Sequence, residues 1–197
     1  MQNPSAPDIV LASSSRYREG LMQRFLADFE CVSPGVDETA RPEEMPAALV
    51  RRLARDKAEA VSSRHRDALI IGADQVAVLD GAVLGKPLDH ARAVEQLLAA
   101  SGNAVTFLTA VCVLDPLAKQ RHEHSDETVV RFRRFDRRLA EAYLRHDEPY
   151  DCAGSFRIEG AGFVLFESVQ TEDPTALIGL PMIWLAGTLQ RLSYLQA

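Results

Sequence analysis

"ALIIGADQVAVLDGAVLGKPLD", residues 68–89, carries the clearest structural signal in this chain. A strand-like apolar run reaches Leu79, Asp80–Gly81 supplies the residue pair that tight hairpin turns favour, and a second apolar run follows. A hairpin makes its strands antiparallel, so the sheet containing this segment is predicted to be mixed. Before it, residues 8–12 (DIVLA) read as a buried strand, 16–26 as a helix with Leu21, Met22 and Phe25 on one face, and 29–33 as a short strand closed by Pro34–Gly35. An amphipathic helix is predicted over 46–62, with Ala48, Leu49, Leu53 and Ala54 as its apolar stripe. After the hairpin come a helix over 89–100, a strand over 104–114 and a strand near 128–132. A helix capped by Asp136, a glycine-punctuated stretch ending in a strand, and a last helix beginning near Pro181 complete the pattern. Helices and strands intermix without repeat, linker or low-complexity block, which predicts an α/β protein with a mixed central sheet and flanking helices.

With 197 residues, 47% of them hydrophobic, the chain can bury a full core, and one domain over residues 1–197 is expected, with two lobes around a cleft. Cys31, Cys112 and Cys152 are odd in number and scattered, which argues against a disulfide framework or a zinc site and for free thiols in a reducing cytoplasm. No charged-then-apolar leader is read before Pro7, and no apolar run has the length of a membrane span, so a soluble cytoplasmic protein without a membrane partner is expected. The net charge of −6 argues against a nucleic-acid partner, which a basic face would attract. The arginines of "RFRRFDRRL" (131–139) and "RRLARDK" (51–57) read as solvated faces.

Three features point to phosphate chemistry. "IVLASSSRYREG" (9–20) places three hydroxyls, two guanidiniums and Tyr17 where a strand meets a helix, a setting whose unpaired backbone N–H groups suit an anion. Asp74 is a lone carboxylate within an apolar strand; such a group needs a partner or a metal, or else caps a nearby loop at the strand end. Asp37, Glu38 and Lys86 add two carboxylates and a cation, a donor set suited to magnesium held by one or two carboxylates plus substrate phosphates. His122 and His124 in "RHEHSDE" alternate on an exposed strand or loop and read as solvated rather than metal-bound, and Trp184 reads as packing in the last helix.

Taken in order, "LASSSRYREGLM", "VDE", "RLARDKA", "IGADQV", "GKP", "SGNAVTFLTAV", "CAGSFRIEGAG" and "IGLP" resemble the Maf family of nucleoside triphosphate pyrophosphatases over nearly the whole chain. The resemblance implies a Maf/inosine-triphosphatase-like fold, two α/β lobes around a cleft, and hydrolysis of a nucleoside triphosphate to monophosphate and pyrophosphate with a divalent metal, magnesium or manganese. It also implies a homodimer, since members are often dimeric. Position by position, it makes Asp74 the catalytic proton acceptor, adds Glu38 to Asp74 as metal ligands, and assigns Ser13, Arg18, Lys57 and Lys86 to the triphosphate. Within the family, Tyr17, Gln75 and Glu159 resemble the specificity positions of the branch acting on 7-methyl-GTP, with Tyr17 standing where tryptophan is usual and Arg16 where proline is. The branch acting on dTTP and UTP looks like arginine, threonine and glutamine at those three places. Hydrolysis of 7-methyl-GTP, which removes a modified nucleotide before it can enter nucleic acid, is therefore the expected activity. The alternatives are a dTTP/UTP pyrophosphatase and a nucleotide-sensing regulator of septum formation.

The base chemistry agrees with that branch. N7 methylation makes guanine cationic, so an aromatic face at Tyr17 gains a cation–π contact of about 0.5–2 kcal/mol. Glu159 accepts only, and so suits the guanine N1–H and 2-amino donors, whereas it would face the carbonyls of a pyrimidine. Two simpler readings stand beside these: Tyr17 packing on a lobe surface, and Glu159 pairing with Arg157 or Arg18.

Overall fold

The computed structural model describes residues 8–195. Residues 1–7, on which the expectation of no leader rests, lie outside it. Seven strands form one mixed sheet. β1 (Ile9–Ala12) runs parallel to β2 (Glu30–Cys31) and to β3 (Leu69–Leu79). β3 forms a hairpin with β4 (Ala82–Leu84), and β5 (Ala104–Asp115), β6 (Gln120–Phe132) and β7 (Phe166–Gln170) follow antiparallel. Asp80 and Gly81 have φ of 50° and 81°, the doubly positive pair of a hairpin turn whose twist matches its strands.

One edge of β3 is shared by two short partners. β1 pairs with it as far as Gly72, and β4 begins to pair only at Ala77. Between those residues that edge has no strand beside it, while β5 covers the other edge throughout. Asp74 and Gln75 sit in this gap, and alternation sends them to opposite faces.

Five helices cover the sheet. α2 (Pro46–Ser62) lies on one face with Leu49, Val50, Leu53, Ala54, Ala58 and Val61 buried against β1, β3 and β5. α1 (Arg16–Met22) and α5 (Met182–Arg191) bury Leu21, Met22, Leu185 and Leu189 on the opposite face. Farther along that face, α3 (His90–Ala100) and α4 (Arg137–Asp147) enclose a second core with Phe107, Phe132, Phe156 and Phe166 in edge-to-face contact. Two lobes result, joined by the long strands and divided beside the β3 gap.

Several boundaries differ from expectation. α1 ends at Met22, and residues 23–25 continue in tighter turns through Arg24 N–H to Leu21 and Phe25 N–H to Met22. β2 pairs at only two residues, because its neighbour β1 ends at Ala12 and turns away. The stripe of α2 excludes Ala48, which is exposed, and includes Lys57. β6 begins eight residues before Thr128, at Gln120, its polar first half being a genuine strand paired along β5. Pro181 precedes the first turn of α5 rather than opening it. His122 and His124 are half-buried instead of solvated, since α5 lays Trp184 flat on His124 at 5.3 Å between centroids.

Gly72 faces α2 so closely that a Cβ there would collide with the Ala54 carbonyl and lie 2.7 Å from the Ala58 nitrogen. Gly72→Ala is therefore expected to destabilise the protein by about 1–3 kcal/mol or more, read as a lowered urea midpoint at unchanged slope.

Candidate active site

Where β1 ends, Ser13–Ser15 turn the chain into α1, and Ser15 caps that helix by accepting from the Arg18 N–H at 3.4 Å. Ser13 is buried, its hydroxyl accepting from the Ser15 N–H at 3.1 Å and from Arg18 Nη1 at 3.4 Å. Arg18 also donates through Nε to the Gly179 carbonyl at 2.8 Å, so its guanidinium is held from two sides. Burial pulls the Arg18 pKa down, with the Asp74 and Glu38 charges opposing.

Lys57, one helix-stripe position deep, reaches across to the β3 gap. Its Nζ stands 2.6 Å from Asp74 Oδ1 and 2.6 Å from Glu38 Oε1, on the loop between β2 and α2. The Lys57 and Asp74 side chains are only 7% and 8% exposed, so this is a buried ion pair with an exposed third member. Burial pushes Glu38 up, but the Lys57 hydrogen bond and charge, with Lys86 and Arg18 behind them, outweigh it and hold Glu38 below its ordinary value. The two carboxylates converge on one cation, and hard oxygen donors of this kind suit a divalent ion completed by phosphate oxygens.

A cleft of about 550 Å³ opens over these groups, lined by Ser13–Arg18, Ser33–Val36, Glu38, Lys57, Lys86 and Asp151. A smaller pocket of about 100 Å³ adjoins it, sharing Ser15, Tyr17, Arg18, Lys86 and Asp151 and adding Gln75, Phe107, Phe156, Arg157, Glu159 and Leu177. The outer cleft is cationic at its centre, and the inner pocket is aromatic with a carboxylate on its wall.

Tyr17 stands between the two. Arg16 lies over its ring at 4.9 Å and donates to its hydroxyl at 2.8 Å, and the hydroxyl donates to Asp151 Oδ1 at 3.3 Å. Burial and the neighbouring Cys152 thiol raise the Tyr17 pKa, with Arg16 and Arg157 pulling the other way. Gln75 approaches from the sheet, its amide donating to Thr109 Oγ1 at 2.9 Å and to the Ala176 carbonyl at 2.8 Å, which fixes the turn that precedes Gly179. Glu159 is an exposed residue on the pocket wall, and partial burial raises its pKa against the backbone N–H groups, Arg157 and Arg24. Among the described residues no cation lies within ion-pair distance of it, and Arg157 approaches Asp147 instead, at 3.7 Å.

Eight of the nine residues singled out from the sequence line these two adjoining cavities, and the ninth, Asp74, meets the outer one through Lys57. Two neighbours have no counterpart among the sequence expectations: Asp151, just before "CAGSFRIEGAG", and Cys152, its first residue; Lys57 is expected as a phosphate ligand, but its carboxylate partners are not. A lysine in the apolar stripe of α2, four residues after Leu53 and four before Val61, was the signal for that burial.

A family model described as Maf-like protein matches residues 8–192. Curated relatives named 7-methyl-GTP pyrophosphatase include one from Pseudomonas syringae pv. syringae, 50% identical over 93% of this chain and 95% of its own length. Others come from Nitrosococcus oceani, 44% identical over 98% of both chains, and Xanthomonas axonopodis pv. citri, 49% identical over 95% of this chain and 98% of its own. Among solved structures, that of the Staphylococcus aureus Ham1 protein superposes with a TM-score of 0.54 over 94% of this chain and 99% of its own, at 13% identity, a likeness of fold.

Removing one partner of a buried pair strands the other's charge. Lys57→Met is expected to cost about 3–5 kcal/mol in urea unfolding, and the double variant Lys57→Met/Asp74→Leu to recover most of that loss.

Proposed function

The chain belongs to the Maf-like protein family, and we propose that it hydrolyses 7-methyl-GTP to 7-methyl-GMP and pyrophosphate. The observation that carries this reading is the inner pocket: an aromatic ring, Tyr17, and a carboxylate with no ion-pair partner among the described residues, Glu159, share one cavity that opens onto the Ser13–Arg18–Lys86 cleft. Curated relatives bearing that activity in their names, at 44–51% identity, support it. The net charge of −6 fits a small nucleotide rather than a nucleic acid, and three scattered thiols fit the cytoplasm.

In the proposed reaction the triphosphate lies in the outer cleft and the base in the inner pocket. Glu38 and Asp74 would hold a magnesium or manganese ion, which supplies neutralisation of phosphate charge and a Lewis acid at the phosphoryl oxygens. Asp74 orients a water and accepts its proton as the oxygen attacks the α-phosphorus. The bond from that phosphorus to the bridging oxygen breaks, and pyrophosphate leaves with the electron pair. Arg18, Lys57 and Lys86 offset the negative charge that grows on the departing group. In the inner pocket Tyr17 meets the cationic ring face, and Glu159 accepts from N1–H and the 2-amino group.

Pyrophosphate release should favour 7-methyl-GTP over GTP, dTTP, UTP and CTP by at least about tenfold in kcat/KM, equivalent to about 1.4 kcal/mol. Asp74→Asn should abolish release while nucleotide still binds. A preference for dTTP or UTP would overturn the base assignment, and binding without turnover would favour a sensing role. Glu159 must be ionised to accept both bonds, so kcat/KM for 7-methyl-GTP should fall as pH drops through its raised pKa. That acid limb should lie above the ordinary glutamate value and vanish in Glu159→Gln.

A further inference from the structure

The loop that presents Glu159 is held at both ends by α4. At its start, Tyr143 Oη accepts from the Arg157 N–H at 3.1 Å; at its end, Asp147 Oδ2 accepts from the Ala161 N–H at 2.8 Å. The Asp147 side chain is 3% exposed, deeper than Asp74, yet the proposed chemistry makes no use of it. Its other neighbours include the Tyr143 hydroxyl, Arg157 Nε at 3.7 Å and His146 Nε2 at 3.9 Å. Arg157 Nε is itself buried without a hydrogen-bond acceptor, so the Asp147 charge is what answers it there. The same guanidinium lines the inner pocket together with Tyr17, whose pKa it draws down. Gly160 is wedged into this arrangement: a Cβ there would strike Asp147 Oδ2 and come within 2.8 Å of Arg157 Nε.

We infer that Asp147 is a positioning residue for base specificity, its buried carboxylate setting the stance of Glu159 through the Ala161 N–H and holding Arg157 on the pocket wall that Tyr17 shares. The inference rests on the 7-methyl-GTP reading. Glu159 lies midway between the two clamped N–H groups, so its backbone is tethered on both sides. Loosening Asp147 frees the loop that presents Glu159 while leaving Asp74, Lys57 and Arg18, which sit on other elements, where they are.

The test compares 7-methyl-GTP with GTP on the full chain for wild type, Asp147→Ala, Asp147→Asn and Gly160→Ala. Asp147→Ala and Gly160→Ala are expected to lower the ratio of the two kcat/KM values at least tenfold, through a raised KM for the methylated nucleotide. Asp147→Asn, which keeps an oxygen for Ala161 but no charge for Arg157, should fall between. Tyr143→Phe releases the other end of the loop and serves if the Asp147 variants do not give a cooperative melt. An unchanged ratio in the folded variants, or equal losses on both nucleotides, overturns the positioning role. A wild type that does not distinguish the two nucleotides overturns the substrate reading itself, and that is visible before any substitution is made.

Discussion

Lys57 between Asp74 and Glu38 is the contact on which the arrangement of the site hangs. A lysine in the apolar stripe of α2 would carry a severe desolvation cost without a partner, and a lone carboxylate in β3 would do the same. Each answers the other at 2.6 Å, and the loop carrying Glu38 is drawn to the same nitrogen. Three elements far apart in sequence are thereby brought to one point. The pair contributes little net stability over a well-packed apolar substitute, but it fixes where α2 sits along the sheet. Gly72 permits that placement by letting α2 approach the β3 backbone just before the gap.

The gap is the second condition. Had β1 or β4 been longer, the edge of β3 beside Asp74 and Gln75 would be covered by another strand. β1 stops at Ala12 because the serines that follow prefer to cap and turn, and β4 is short because only a few apolar residues follow the hairpin. A sheet interrupted in this way exposes both faces of one strand to a single cavity. Asp74 can then serve the outer cleft from the α2 face while Gln75 backs the inner pocket from the other.

Element types were legible because their signals are local. The Asp80–Gly81 turn, the Asp136 cap and the 46–62 helix need no tertiary information, and the structure has them. The first half of β6 was not legible: an edge of alternating His, Glu, Ser and Asp has no apolar run, and only the long partner β5 makes it a strand. For the site, single residues could be named from motif likeness, but their partners could not. Asp147 ends a helix whose polar last turn looks like ordinary surface, and nothing in "LRHDEPY" says that one of its carboxylates is buried beneath a loop 14 residues later. Burial of a charge is a property of the assembled lobes rather than of a window of sequence.

The charges around the nucleotide cavity sort themselves by distance from the β3 gap. At the gap the cations Arg18 and Lys86 outnumber what Asp74 and Glu38 can neutralise once Lys57 is shared between them, a field suited to a polyphosphate. The inner pocket shares Arg18 and Lys86 but adds a carboxylate of its own, Glu159. Arg16 and Arg157 border it, but Asp151 at 3.5 Å and Asp147 at 3.7 Å answer them, whereas Glu159 has no cation within ion-pair distance among the described residues. Desolvation has raised its pKa, so its ionised form gains more from a positive ring than a solvated carboxylate would. A nucleotide with an anionic tail and a cationic base matches both ends of that field, while an unmethylated guanine matches only one. Under the proposed reading, selection for the methyl group rests on the charge that it creates rather than on a cavity shaped around it.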